Sequence, residues 1–587
     1  MNNNDQHLQS ARHSAAHLFA AAILELWPNT KIAIGPAIEN GFYYDADYGS
    51  EKISEEDFSK IEQKMHELVK SWSGFEKKEV SEQEAREIYK NNPYKLELIE
   101  EIVKKGEPIT LYTSGNFTDL CRGGHSENPK EDLKYFKLLK IAGAYWRGSE
   151  KNPMLTRIYG TLFFSKEELE AYLHQLEEAE KRDHKKLGRE QELFIFVDSA
   201  PGMPYWLPNG MIIFNELLSF SREVHKKFGY QEIMTPILNK KELYETSGHW
   251  QHYREDMFIS PMSFLRDDSE NIYEGTEVFG IKPMNCPNAM TVFSLKTRSY
   301  RSLPMRLSET TALHRFELSG TLNGLFRARE FHQDDSHTFL ALESVGQEIK
   351  ELMEMISIFY KPFNLQYRLR FGTRPEKFMG DQNDWDIAEK KLKEALVESG
   401  NEFFDAPGEG AFYGPKIDIL MKDSLGREWQ TGTIQLDFQQ PKNFKLKYSD
   451  SDGGERQPVA IHKAIYGSFE RFIGILTEHF IGKFPLWLSP VQVALLPIAD
   501  RHNEHAKKVA EKLKSRGIRV VVDESAERLQ AKIRNHTLQK VPFMGIIGDK
   551  EVASNALSVR TREGNDLGSQ DLDIFLDSLI NDIDKKV

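Results

Sequence analysis

HRFELSGTLNGLFRAREFHQDD, residues 314–335, spreads Arg315, Arg327 and Arg329 along a stretch broken by glycines. Two other features share its region: EIMTP (232–236), ending in Pro236, and GSFERFIGILTEHF (467–480), centred on Glu470 and Arg471. Arginines at separated positions suit a triphosphate, because guanidinium groups fork onto phosphate oxygens and stay charged. Phosphoryl and nucleotidyl transfers are catalysed largely by such positioning and charge neutralisation. A single arginine is more often a surface ion pair, so the weight rests on the set. The surrounding region, 191–484, has long gaps between helical stretches and short β-rich runs such as KIDILMK and EWQTGTIQLDF. It lacks the regular strand–helix alternation of a doubly wound fold, which predicts a mostly antiparallel sheet. There is no G-x-x-x-x-G-K-[ST] loop, and APGEGAFYGPK (406–416) misses the G-x-G-x-x-G spacing, so it reads as a turn-rich loop.

At 587 residues the chain exceeds one hydrophobic core, and three or four domains are expected. Hydrophobic content of 40% and charged content of 28% are those of a soluble globular protein. A net charge of −13 argues against general affinity for polyanions, so a nucleic-acid partner would need local basic patches. EKRDHKKLGR (180–189), KIRNHTLQK (532–540) and VRTR (559–562) are candidates, although each is more often a solvated face. Two cysteines make no disulfide framework and no apolar run reaches membrane length. MNNNDQHLQS lacks the apolar stretch of a signal peptide and the arginines of a transit peptide. The expectation is a cytoplasmic protein with no membrane partner.

The N-terminal part alternates helix-like stretches (SAAHLFAAAILELW, EEDFSKIEQKMHELVKSW) with strand-like ones (GFYYDAD, PITLYT). A charged linker helix is predicted over 164–190, with Ser165 and Glu168 as a capping box and Leu169, Tyr172, Leu173 and Leu176 as its apolar stripe. The last hundred residues predict a β-α-β-α-β-β-α order with a mostly buried sheet. In the N-terminal part His13 and His17 stand four residues apart, and TDLCRGGH sets Asp119, Cys121 and His125 close together. That set suits a zinc site or the acid, base and nucleophile of a hydrolytic pocket, and spacing leaves both open.

The three stretches resemble the three motifs of class II aminoacyl-tRNA synthetases. KPMNCP, ETSGHW, QDDSH, EGAFYGPKID, WQTGTIQLDF and IHKAIYGSFERF resemble the threonyl-tRNA synthetases in particular, and the resemblance runs from about residue 11 to the end. It implies an α+β multidomain chain: an N-terminal α+β editing domain (1–163), the linker (164–190), a class II antiparallel β-sheet catalytic domain (191–484) and a C-terminal α/β anticodon-binding domain (485–587). It implies one zinc per subunit on Cys286, His337 and His462, with an open position for the amino and hydroxyl groups of threonine. Asp335, Gln333, Tyr413, Gln430, Gln435 and Thr433 fall at the amino-acid pocket. Arg315 and Arg471 match the ATP phosphate clamps, Arg327 the second motif-2 arginine and Glu317 a position near adenine, while Lys416 lines the same site. ATP enters with Mg2+, the other partners are L-threonine and threonine tRNA, and the assembly is a homodimer.

A site that demands a hydroxyl rejects valine strongly, but serine lacks only one methyl, worth about 1–3 kcal/mol. A second, hydrolytic site that destroys seryl-tRNA is the physical remedy. The resemblance puts it at His13, His17, Lys95, Asp119, Cys121 and His125, as a metal-free pocket that positions water. Related domains of other synthetases hold zinc on similar ligands, which keeps that alternative open. Glu551, Arg560 and Arg534 match or adjoin anticodon-reading positions, with Lys532 on the same basic helix. The bacterial form usually begins with a ubiquitin-like domain, which is not expected here because the editing helix starts by residue 11; other departures from the family pattern are Leu318 for proline, Asn288 and Ala289 for glycine and histidine, and Ala526 for a polar residue.

Overall fold

The structure is a computed structural model that describes residues 3–267 and 272–586. The chain divides into two compact units, 1–177 and 178–587.

The first unit is built on helix Asn3–Leu26. Its alanines are the best helix formers, and Ala11, Ala15, Ala16, Leu18, Phe19, Ala20, Ala22 and Ile23 are wholly shielded from solvent. A helix apolar on most sides must be enclosed. Phe42, Tyr44, Ile158 and Leu162 of an antiparallel sheet enclose it on one side, and Phe58, Ile61 and Met65 of helix Phe58–Leu68 on another. That sheet runs in the order Lys31–Ile32, Gly41–Asp47, Met154–Phe163, Tyr135–Tyr145, with Ala37–Ile38 paired at its side. A separate three-stranded sheet joins Glu76–Val80, Ile109–Ser114 and Phe117–Leu120. Helix Pro93–Lys104 starts where the Asn92 side chain accepts from Lys95 N–H at 3.2 Å.

The predicted capping box is present: Ser165 Oγ accepts from Glu168 N–H, and Glu168 returns the bond to Ser165 N–H, both at 3.2 Å. The stretch read as one linker helix is two, Lys166–Arg182 and His184–Glu190. The break is at Asp183, whose carboxylate accepts from Lys185 and Lys186 N–H and so caps a new start.

In the second unit an eight-stranded sheet runs in the order Gln231–Glu232, Met305–Glu309, Asp335–Leu340, Val459–Ala464, Glu428–Asp437, Lys416–Lys422, Gln366–Gly372, Phe403–Ala406. The six inner strands are antiparallel, as expected, and the two edge pairings are parallel. Period-two alternation sorts the two faces. Ile417, Ile419, Met421, Ile434, Leu436 and Ile461 join the core formed with helices Pro208–Lys227, Val345–Tyr360 and Phe469–His479. The intervening residues, among them Lys416, Thr433, Gln435 and His462, face the other way.

The C-terminal sheet runs Val520–Val522, Val493–Pro497, Phe543–Ile547, Ala556–Thr561, Asp566–Asp571, with the first three strands parallel. Two elements beyond the expected order are the short helix Asp549–Ser554 and the strand Asp566–Asp571. That strand, DLGSQD, is almost wholly exposed and carries no apolar alternation to betray it.

Candidate functional site

One row of residues crosses the large sheet. His337 pairs with His462, His462 with Gln435, and Gln435 with Lys416, in register on four adjacent strands. Directly paired residues project to the same face, so the row forms a single band. Cys286, first residue of helix Cys286–Ser294, completes a cluster in which the ligand atoms of Cys286, His337 and His462 lie within 4.8 Å of one another.

The donor set fits a metal. The three residues are buried, and His337 Nε2 and His462 Nδ1 have no hydrogen-bond partner among the described residues. The other ring nitrogen of His462, Nε2, donates to Asp437 Oδ2 at 2.8 Å, which fixes the ring and its tautomer as carboxylates behind metal-binding imidazoles do. Burial pushes the Cys286 thiol up and His337 well down. Burial also opposes charge on His462, but Cys286 and Asp437 outweigh it and hold its pKa up to about 10. Protons there stand where a cation would, and thiolate plus neutral imidazoles is what a bound divalent ion requires.

Beside this cluster Asp335 is buried, accepts from Asn285 Nδ2 at 3.1 Å and has its carboxyl pushed up to about 6 by burial. Tyr413 donates its hydroxyl to Gln435 Oε1, and its ring centroid lies 5.2 Å from that of His462. Gln430 Nε2 donates to Asp418 Oδ1 at 2.7 Å, while Lys416 Nζ lies 3.0 Å from Asp418 Oδ2.

Arg315, Glu317, Arg327, Gln333, Thr433 and Arg471 share the lining of one cavity of about 280 Å³ with Gln430 and Gln435. Arg471 lies in the first turn of helix Phe469–His479, where Ser468 Oγ accepts its N–H at 3.2 Å. Its guanidinium donates to the carbonyls of Phe326 (3.0 Å) and Gln430 (3.2 Å). Burial lowers its pKa first, and the neighbouring charges of Arg315 and Arg327 lower it further. Three cations held at one cavity whose described lining carries one carboxylate, Glu317, which accepts from Arg327 Nε at 2.8 Å, make an anion site. A larger cavity, about 540 Å³ and lined by Gln191, Phe484, Val521, Asp523 and His536 among others, contains none of the expected residues.

In the first unit, helix Asn3–Leu26 brings His13 and His17 onto the face met by Cys121 and His125, with ligand atoms within 4.8 Å of one another. Ring centroids of His13, His17 and His125 are 4.6–5.0 Å apart, and His13 Nε2 lies 3.5 Å from Cys121 Sγ. Asp119 pairs with the buried Lys95 and accepts from Tyr44 OH at 2.7 Å. Burial, with the neighbouring histidines, lowers His125 to about 2; it also lowers His13 and His17, and pushes the Cys121 thiol up to about 11. At neutral pH the cluster therefore offers uncharged imidazoles and a thiol beside one buried ion pair. His17 Nδ1 and His125 Nε2 have no hydrogen-bond partner among the described residues, so this set too has the donors for a metal or a bound water.

The C-terminal candidates fall on separate elements. Arg534 is exposed on helix Leu529–Leu538, and Arg560 lies on strand Ala556–Thr561. Glu551 accepts from Gly548 N–H at 2.9 Å at the start of helix Asp549–Ser554. Lys532 is a correction to the basic-face reading: it is buried, donating to the carbonyls of Pro497 and Asp523.

Sequence reasoning missed Asp437, Asn285 and Asp334. Asp437 could have been found, since it is two residues beyond Gln435 on a strand and shares its face. Asp334 accepts the N–H groups of Ile465, Tyr466 and Gly467 at 2.9–3.0 Å, bracing the approach to Arg471, and nothing in its spacing signals this.

Family models for the "tRNA synthetase class II core domain (G, H, P, S and T)", the "Anticodon binding domain" and the "Threonyl and Alanyl tRNA synthetase second additional domain" match residues 270–480, 492–585 and 109–159. Over 580 residues the chain is 50% identical to the threonine–tRNA ligase of Thermotoga neapolitana, covering 98% of this chain and 88% of that protein. It is 48% identical to that of Clostridioides difficile, with the same coverage. Among solved structures, the RNA binding domain of threonyl-tRNA synthetase from Cryptosporidium parvum matches 68% of this chain and 98% of its own at 38% identity and a TM-score of 0.63. A putative threonyl-tRNA synthetase from Aeropyrum pernix matches 69% of this chain and 97% of its own at 29% identity and a TM-score of 0.58.

Proposed function

The chain belongs to the threonine–tRNA ligase family, and on that premise we propose how its residues divide the work. The protein charges tRNA with threonine using ATP and carries an editing domain. ATP enters with magnesium.

In the proposed mechanism the threonine carboxylate attacks the α-phosphorus of ATP and pyrophosphate leaves; a terminal ribose hydroxyl of threonine tRNA then attacks the acyl carbon of the adenylate, forming the ester and releasing AMP. Arg315 and Arg471 neutralise the phosphates, Arg327 assists beyond them, Glu317 sits near the adenine, and Lys416 supports the reacting end. Asp335, Gln333, Tyr413, Gln430, Thr433 and Gln435 hold threonine. Cys286, His337 and His462 would hold one zinc per chain. Bound there, zinc supplies a Lewis-acid position open to the substrate's amino and hydroxyl groups. The observation that carries this reading is the shared cavity of the three arginines, joined through Gln435 to the cysteine–histidine cluster.

His13, His17, Lys95, Asp119, Cys121 and His125 form the proposed editing pocket, which aligns water on the ester of seryl-tRNA without a metal. Its neutral imidazoles, with His17 Nδ1 and His125 Nε2 free of other described partners, can orient that water by hydrogen bonds. The proposed domain limits are 1–163, 164–190, 191–484 and 485–587, with Glu551, Arg560 and Arg534 toward the anticodon. A homodimer is supported by Met234, 84% exposed, and the exposed Ile237 and Leu238 beside edge strand Gln231–Glu232. No described helix is long and apolar enough to cross a membrane, and we propose a cytoplasmic location.

Pyrophosphate exchange across a panel of amino acids tests the reading. Threonine should drive it best, serine more weakly and valine hardly at all. Exchange with valine equal to that with threonine would overturn it.

A further inference from the structure

Helix His184–Glu190 follows directly on Lys166–Arg182, and its first residue is turned inward: His184 is 1% exposed. Its Nδ1 lies 2.8 Å from Glu478 Oε1, and its backbone N–H donates to the same oxygen at 3.1 Å. Glu478 is also paired through Oε2 with Arg427. A carboxylate only accepts, so Nδ1 carries the proton and Nε2 is left as an acceptor. Leu325 N–H donates to that Nε2 at 3.1 Å.

The loop around Leu325 is fitted to this ring. Phe326 lies against it with centroids 4.1 Å apart. Gly324 has φ +51, and a Cβ there would come within 2.3 Å of His184 Nε2. The same loop reaches the anion site, because the Phe326 carbonyl accepts from Arg471 Nε at 3.0 Å and Arg327 follows directly in the cavity lining.

We propose that His184 is a positioning residue for adenylate formation, fixing through Leu325 the loop whose Phe326 carbonyl aims Arg471. The inference rests on the reading of Arg471 as a phosphate clamp. His184 lines neither the arginine cavity nor the cysteine–histidine cluster. Its influence should therefore appear in the use of ATP and not in the affinity for threonine.

The test is pyrophosphate exchange at varied ATP for His184→Ala, His184→Asn and His184→Gln, beside Arg471→Ala. Asparagine can place an amide nitrogen where Nδ1 stands and keep the bond to Glu478. Glutamine can reach with its oxygen to where Nε2 stands and keep the bond from Leu325. Leaving the buried Leu325 N–H unpaired should raise KM for ATP about tenfold in the Ala and Asn variants, and glutamine should recover most of that loss. KM for threonine and hydrolysis of seryl-tRNA should not move in any of the three, which also reports that the chain has folded. Equal effects of Asn and Gln, or an equal rise in KM for threonine, would reduce His184 to a packing residue and overturn the proposal. A crippled Arg471→Ala beside a normal His184→Asn would overturn this inference alone. Near-normal exchange in Arg471→Ala would remove the clamp reading and this inference with it.

Discussion

His337 and His462 face each other across one rung of the antiparallel ladder, ring centroids 4.7 Å apart, each with one buried nitrogen that meets no described partner. Cys286 closes the triangle. Elemental analysis of purified protein should find one zinc per chain. Cys286→Ser should lose metal and threonine activation together. Asp437→Asn, which leaves the ligands but weakens the grip on His462, should lower metal affinity about 10–100-fold. Full threonine activation by metal-free Cys286→Ser would end the zinc assignment.

Arg471 is held by two carbonyls and lies close enough to Arg315 and Arg327 to have its pKa lowered by them. Arg471→Ala should slow exchange about 10²–10³-fold while leaving the fold intact, because a preset charge is lost where the transition state needs it. A loss of only a few-fold would mean the clamp lies elsewhere.

The two clusters belong to different compact units. The double change His13→Ala and His17→Ala should leave threonylation close to wild type and allow seryl-tRNA to accumulate. Should those imidazoles hold a second metal, the wild type would contain two ions per chain and the double variant one. Loss of threonylation with no build-up of seryl-tRNA would make the cluster merely structural.

His17 also makes a pH forecast. Burial, with His13 and Lys95, lowers its pKa well below 6.5, so the fold keeps it neutral where the unfolded chain binds a proton. The unfolded state then holds more protons, and stability falls as pH drops from about 6.5 toward the lowered value; above 6.5 the effect is absent. In urea unfolding of this unit between pH 7 and 5, His17→Asn should flatten the decline by up to about 1.4 kcal/mol per pH unit. Parallel declines for variant and wild type would refute it.

The sequence carried much of this because local patterns were strong. KIDILMK is the β-rich run it looks like and forms a strand, and Ser165 with Glu168 makes the cap its spacing promised. What stayed hidden depends on distant partners. Nothing local ties Cys286 to His337 and His462, which meet only once the strands have paired; family resemblance alone joined them beforehand. Lys532 looked like a surface charge because its carbonyl partners, Pro497 and Asp523, belong to other elements. The break at Asp183 was legible in principle, since a mid-helix Asp can cap a new start, but the surrounding helix formers masked it.

The row of His337, His462, Gln435 and Lys416 has one more consequence. Neighbouring strands are spaced by backbone hydrogen bonds about 4.7–4.9 Å apart, so the distance from the cysteine–histidine cluster to the far end of the row is set by the ladder and not by the connecting loops. Those loops can lengthen, shorten or be rewritten without moving the four side chains relative to one another. A single residue inserted inside a strand is different: it would turn every later member of that strand to the opposite face. The row is thus indifferent to the length of the connections between its strands and sensitive to any change of length within them.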